Sequence, residues 1–469
     1  MKHKGSLLIK VISFIVILLS NGISFNVFAT ESINPNALAQ PLNTSATWKL
    51  NGKPAPKALM DMAVNTTTSI EAGTTLIITS STKIQSIYVL YDNAPSLYTV
   101  TYRVSFDTNP ESDDFIYKNF IQKAGVNGFL HELIVLKEPS SYITLKLPKG
   151  KLASIIIYSK GQLPNDVQQW KAPTKDADML VLAAHGDDEA LYFGPAIAMS
   201  VAQGRVVQVA YLINHFNDRR RPHETLDSLW ELGVTAYPIF GPYKDKLVST
   251  LKQAYAYYPK EEVLTYEIGL IRRFKPEVIL SHDFAGEYGH GAHMLLSDVL
   301  KEAIISSNDP KIDPASASLY GTHDPLKTYI HLYKTNKIIL DVYTPLAYFN
   351  NRSPLVVARA AYDKHISQHI WPLAVIVYSV GDVRRFGLYR STVGLDTGND
   401  LFEHIPKKPV IVKPDPPKQE IVPIPSDPFK PRIDLYVRLI IISMTISTVT
   451  VLLMLGLFTK LSRKNRVKH

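Results

Sequence analysis

Two short clusters carry the residues best suited to chemistry. The first is Ala184-His185-Gly186-Asp187-Asp188-Glu189; the second is Ser281-His282-Asp283, followed by Gly286-Glu287-Tyr288-Gly289-His290-Gly291-Ala292-His293. His185 and Asp188 stand three apart at the entry to a helix, so their side chains can converge on one point with Asp187 beside them. His290 and His293 repeat that spacing at a glycine-rich loop. Two histidines and a carboxylate are a common donor set for a catalytic zinc ion with one position open. An unligated carboxylate nearby could take a proton from a water of lowered pKa, and a further histidine could hydrogen-bond a tetrahedral oxyanion. Taken singly, each cluster has a plainer reading, a helix cap or a hydrogen-bonded strand-end histidine. Neither plain reading accounts for both clusters at once.

These residues need a scaffold that brings them together. From Trp170 onward the chain alternates apolar runs with helical patterns: Met179 to Ala184, Ala190 to Ala202, Val206 to Ile213, Glu224 to Leu232, Glu261 to Phe274, Glu277 to Ser281, Met294 to Ile305. That rhythm predicts an α/β fold, a Rossmann-like parallel sheet with helices on both faces, over residues 170–404. Chemistry in such sheets sits at the C-terminal strand ends, where both clusters fall. The turn after the first strand lacks a Gly-x-Gly-x-x-Gly pattern, and its carboxylates would repel a pyrophosphate, which argues against dinucleotide binding.

Upstream, over residues 30–165, the period is two. Val100, Tyr102, Val104 and Phe106 alternate with Thr99, Thr101, Arg103 and Ser105, and turn residues separate similar runs. The expectation is an all-β sandwich serving as an accessory domain. It loosely resembles galactose-binding-like modules of extracellular carbohydrate enzymes in strand rhythm alone, and a structural prefix fits equally well.

With 469 residues, 46% hydrophobic and 20% charged, the chain is of globular composition, which excludes wholesale disorder and fibrous repeats. It has no cysteine, so disulfides and thiolate ligands are excluded and any metal must use His, Asp or Glu. Part of the net charge of +9 sits in the termini, and nucleic acid is not implied. Lys2, Lys4 and Lys10 precede an apolar run and Val27-Phe28-Ala29, the pattern of a signal peptide over residues 1–29. Residues 405–434 are proline-rich and read as an extended stalk of at most roughly 80 Å. Leu439 to Phe458 holds no charge and, at about 30 Å as a helix, suits a transmembrane segment within residues 437–459. A basic tail, 460–469, follows. The expected topology is a single-pass cell-membrane protein with the bulk outside the cytoplasm and the tail inside.

The pattern His-x-Asp-Asp-Glu after a first strand, with a distant Tyr-x-His-x-x-His, resembles the PIG-L (LmbE-like) zinc N-deacetylase family. The likeness extends to Arg221-Pro222-His223-Glu224 before Leu232-Gly233-Val234 and to Lys364-His365-Ile366-Ser367-Gln368. It implies that His185, Asp188 and His293 hold Zn2+, or another divalent transition metal, and that Asp187 is the general base and then acid. It further implies that His290 and Tyr288 make oxyanion and substrate contacts and that Arg221 holds substrate. His365 either lines the pocket as a substrate contact or simply packs. The family usually has proline where this chain has Gly186, so a looser loop is expected. The implied reaction removes the acetyl group from an N-acetylglucosamine-containing glycan or glycolipid. The alternatives are an inactive glycan-binding surface protein and a metal-dependent O-acetyl esterase. The sequence is silent on oligomeric state.

Overall fold

A computed structural model describes residues 37–105 and 117–406. The expected signal peptide, transmembrane helix and basic tail, and the expected stalk beyond Pro406, lie outside the described residues. Among the described residues no helix is long and apolar enough to cross a membrane.

Strands β1 (Thr47–Leu50), β2 (Lys53–Pro54), β3 (Thr68–Ile70), β4 (Thr75–Tyr91), β5 (Tyr98–Ser105), β6 (Tyr117–Ala124), β7 (His131–Lys146) and β8 (Gly150–Ser159) form the upstream region. The all-β part of the expectation holds, and the paired strands run antiparallel. Instead of two separate sheets, however, all eight strands hydrogen-bond into one. The device is β4, which pairs with β1 and β7 along its first half and with β7 and β8 along its second. A register irregularity between Thr79 and Ser86 switches which residues face inward. Leu76 and Ile78 before it, and Ile87, Val89 and Tyr91 after it, all enter the same apolar core. An irregularity of this kind lets one strand serve two walls around one core.

The downstream sheet comprises β9 (Met179–Ala183), β10 (Val207–Tyr211), β11 (Val278–Ser281), β12 (Lys327–His331), β13 (Lys337–Ile339) and β14 (Arg385–Ser391), in the order β10-β9-β11-β12-β14-β13. The first four are parallel, whereas β14 runs antiparallel to β12 and β13 antiparallel to β14, so the sheet is mixed. Strand β9 shows why both faces must be covered. Met179, Val181 and Ala183 belong to one core, and Leu180, Leu182 and Ala184 to another. The helices are α1 (Asp188–Leu191), α2 (Gly194–Ala202), α3 (Arg220–Glu231), α4 (Leu251–Tyr257), α5 (Lys260–Phe274), α6 (Gly291–Ser306), α7 (Pro314–Tyr320) and α8 (Pro354–Tyr362).

Two helices depart from the expectation. The single helix over Ala190 to Ala202 is split, because Pro195 has no N–H to continue a preceding helix and suits a first turn. Helix α3 begins four residues before Glu224, with Pro222 accommodated in its first turn. After β9 the chain crosses to β10 on one side and later to β11 on the other. The crevice at these strand ends is therefore the topological switch point.

Candidate metal centre

The loop leaving β9 and the loop leaving β11 meet at this crevice. His185 Nδ1 lies 3.3 Å from Asp188 Oδ2 and 3.2 Å from His293 Nε2, and His293 Nε2 lies 3.4 Å from Asp188 Oδ2. Bonds of about 2.0–2.1 Å in tetrahedral geometry put ligand atoms about 3.3–3.4 Å apart, so the three donors fit a zinc-sized ion. All three residues are buried. Burial opposes a charge on His293, but Asp188 and Glu287 outweigh it and raise the ring to about 10. The pocket thus favours a cation.

His290 and His282 also approach closely enough to form alternative triplets, His185 with His290 and His293, or Asp188 with His282 and His293. Their hydrogen bonds assign them elsewhere. Ala184 N–H donates to His282 Nε2 at 3.0 Å, which occupies that lone pair. Ala292 N–H donates to His290 Nδ1 at 3.3 Å, where His290 caps α6. Burial first, then His185 and His293, lower the His290 pKa to about 3. The ring is therefore neutral, with its proton on Nε2, and that nitrogen is a donor. Tyr288 is half exposed, its ring edge-on to both His290 and His293.

Asp187 is buried beside the triplet. Burial raises its pKa, Arg221 pulls it back and Asp188 pushes it up, for a net rise above the usual carboxylate range. Arg221 Nη2 lies 3.5 Å from Asp187 Oδ1 and donates to Gly186 O at 3.2 Å. Arg221 is thus engaged with the loop that carries Asp187. His365 takes the packed one of its two expected places. It is wholly buried with Nε2 2.6 Å from Glu189 Oε1, a brace beneath the loop instead of a pocket wall. Glu224 accepts from Ser367 N and Oγ at 2.9 and 2.5 Å, so two carboxylates tie the segment after α8 to the site. Gly186 is packed tightly: a Cβ there would stand 2.3 Å from Thr225 Oγ1. Proline would collide with Thr225, which makes glycine the residue this helix partner requires.

The sequence reading missed Glu287 as a functional group. It is fully buried, with Oε2 2.8 Å from His293 Nδ1 and Oε1 3.2 Å from His282 Nδ1, 2.9 Å from His331 Nδ1 and 3.0 Å from Asp283 N. Burial would raise its pKa, but His282 and the hydrogen bonds from three imidazoles hold it well below the usual range. A carboxylate on the far nitrogen fixes His293 in the tautomer whose Nε2 can ligate. Its loop is tightly wound: Gly286 has φ +72, and a Cβ on it would meet His290 O at 2.4 Å. Asp245, on the loop before α4, lies 3.7 Å from His185 Nε2 and 3.8 Å from His215 Nδ1.

A mixed α/β sheet whose strand-end loops join two histidines, an aspartate and an adjacent buried carboxylate defines the class, an α/β protein with a candidate metal site of a kind suited to hydrolysis. Residues 180–304 match the family model described as PIG-L: GlcNAc-PI de-N-acetylase, and the chain carries a domain of that family. It is 25% identical over 163 residues to a 1D-myo-inositol 2-acetamido-2-deoxy-alpha-D-glucopyranoside deacetylase of Streptomyces scabiei, over 29% of this chain and 50% of that protein. To the enzyme of the same description from Streptomyces avermitilis it is 26% identical over 166 residues, 30% of this chain and 56% of that one. The chain spans about half the length of these curated relatives. A solved structure of N,N'-diacetylchitobiose deacetylase from Pyrococcus horikoshii is 17% identical, with a TM-score of 0.33, over 42% of this chain and 72% of that one.

Proposed function

We propose that the chain is a metal-dependent N-deacetylase acting on N-acetylglucosamine-containing glycans or glycolipids. The reading rests above all on the spacing of His185 Nδ1, Asp188 Oδ2 and His293 Nε2, with an unligated buried carboxylate, Asp187, alongside. A divalent ion held by His185, Asp188 and His293, with zinc fitting best, would supply Lewis acidity and lower the pKa of water. Asp187, its pKa already raised, accepts the proton of the attacking water and returns it to the departing amine. Arg221 keeps that carboxylate aimed. His290 Nε2–H donates to the oxyanion that develops on the acetyl carbonyl. Matches to deacetylases of acetamido sugars support the substrate class.

The signal-like N-terminus, the uncharged run Leu439 to Phe458 and the basic residues after it support anchorage by one helix, with the site outside the cytoplasm. The test compares the chain with its Asp187→Asn variant for release of acetate and free amine from N-acetylglucosamine oligomers, with bound metal counted in both. Release abolished in the variant while metal stays bound is the expected result. No release from the parent on either oligomers or N-acetylglucosaminyl lipids, with metal bound, would refute the reading.

A further inference from the structure

Helix α3 presents two stripes, and each is bound by a different part of the protein. Arg221, Glu224 and Thr225 face the base loop and the segment after α8. Arg219, His223, Leu226, Asp227 and Trp230, at offsets of zero, four, seven, eight and eleven, are held from the other side. Arg219 donates to Asn65 O at 2.8 Å and Thr67 Oγ1 at 3.0 Å, in the loop before β3. Leu226 belongs to the apolar core that holds Trp48, Ile87 and Phe129. Asp227 accepts from Gln168 Nε2, and Trp230 Nε1 donates to Asn165 O at 2.7 Å.

At the centre of this second stripe, His223 Nδ1 lies 2.7 Å from Nε2 of His131, the first residue of β7. The protons can be placed. Trp170 Nε1–H can only donate, so Gln168 Oε1, 2.7 Å away, is an acceptor and the Gln168 amide orientation is fixed. His131 Nδ1, also 2.7 Å from that oxygen, therefore donates to it, and His131 Nε2 accepts from His223 Nδ1–H. Both rings are buried and neutral. Burial and then His223 push His131 well below its ordinary value, and burial and then Arg219 bring His223 to about 4.

We infer that His131 is a positioning residue for the catalytic base. It acts through His223 to hold α3 in the register that sets Arg221 against Asp187 and Gly186, which makes the β-rich region a working part of the active site. The kinetic consequence rests on the deacetylase reading; the structural one does not.

The test uses the full chain with His131→Leu, which removes both hydrogen-bonding functions, and His131→Gln, which keeps one acceptor and one donor. The expected result for His131→Leu is a kcat loss of about ten- to a hundredfold, the cost of a misplaced catalytic group, with KM and bound metal little changed. His131→Gln should recover most of it. In an Arg221→Ala background, His131→Leu should cost almost nothing more, since the two act in one line. Full additivity with Arg221→Ala, or equal losses in the Leu and Gln variants, would overturn the inference. Hydrogen exchange of the segment 184–191 reads the same coupling without turnover. Faster exchange in His131→Leu but not in His131→Gln supports it, and unchanged protection in both overturns it, even in a protein that proves not to deacetylate. Should His131→Leu fail to fold, Arg219→Ala releases the same helix at its partly exposed start and must show the same exchange change.

Discussion

Replacing Glu287 with glutamine exchanges one carboxylate oxygen for an amide nitrogen that would not touch the metal, yet it should weaken metal binding. The carboxylate serves four donors, one on Oε2 from His293 and three on Oε1 from His282, His331 and Asp283 N. An amide has one acceptor oxygen, and it will take the side with three donors. Its NH2 then faces His293 Nδ1, which must give up its proton to accept. In the neutral ring that proton moves to Nε2, the atom that would ligate, so the ring must choose between its partner and the metal. The loss is about one hydrogen bond to a charged group, roughly 1.5–3 kcal/mol. At about 1.4 kcal/mol per factor of ten, that is about a 10- to 100-fold rise in Kd, the range found when partners of metal-bound histidines are removed. Competition with a chromophoric chelator measures it on Glu287→Gln and the parent at one pH. Zinc affinities within twofold of each other would refute the argument.

His223 should make its own contribution to how stability depends on pH. His223 titrates at about 4 when folded and near 6.5 when unfolded. Below 6.5 the unfolded chain takes up a proton that the folded His223 refuses, so this ring's contribution to stability is fully present above that pH and is lost as pH drops towards about 4, by about 3 kcal/mol. Between pH 7.5 and 5 the parent should lose more of its urea-unfolding stability than His223→Gln does; equal losses in the two would contradict the burial argument. Gly186→Ala should destabilise by about 1–3 kcal/mol through its collision with Thr225 Oγ1. Adding Thr225→Ala should relieve most of that cost in denaturant unfolding, and strict additivity would count against the contact. His290→Ser keeps a cap for α6 but withdraws the Nε2 donor. Its kcat should fall about a hundredfold while the melting temperature stays close to the parent's.

The donors of the site were legible because their spacing survives in one dimension. His185 with Asp188, and His290 with His293, are each three apart on a turn into a helix, and β9 and β11 read as plain apolar runs. What escaped was written in pairs distant in sequence. Strand β12 reads Lys-Thr-Tyr-Ile-His and looks polar, yet all five residues are buried, because Lys327 pairs with the buried Asp396 and His331 with Glu287. No local pattern announces a strand whose charges are neutralised from 44 or 69 residues away. Arg221 and His365 were found as residues, but without the partners they bind. Their partners, Asp187 and Glu189, lie in the very loop they serve, and only the fold shows each side chain turned towards it.

The ties from Glu189 to His365 and from Glu224 to Ser367 join segments 176 and 143 residues apart. On a ribosome adding roughly 5–20 residues per second, His293, the last of the three residues proposed to hold a metal, is synthesised several seconds before the residues that brace the loop of Asp187 from below. Contacts of such long sequence separation form late, since the intervening chain must be ordered before they are rewarded. The donors therefore come within reach of one another first, and the loop carrying Asp187 is locked only when the segment after α8 arrives. On the deacetylase reading, the loop of Asp187 would thus be the last part of the site to be set, after the residues proposed to hold a metal.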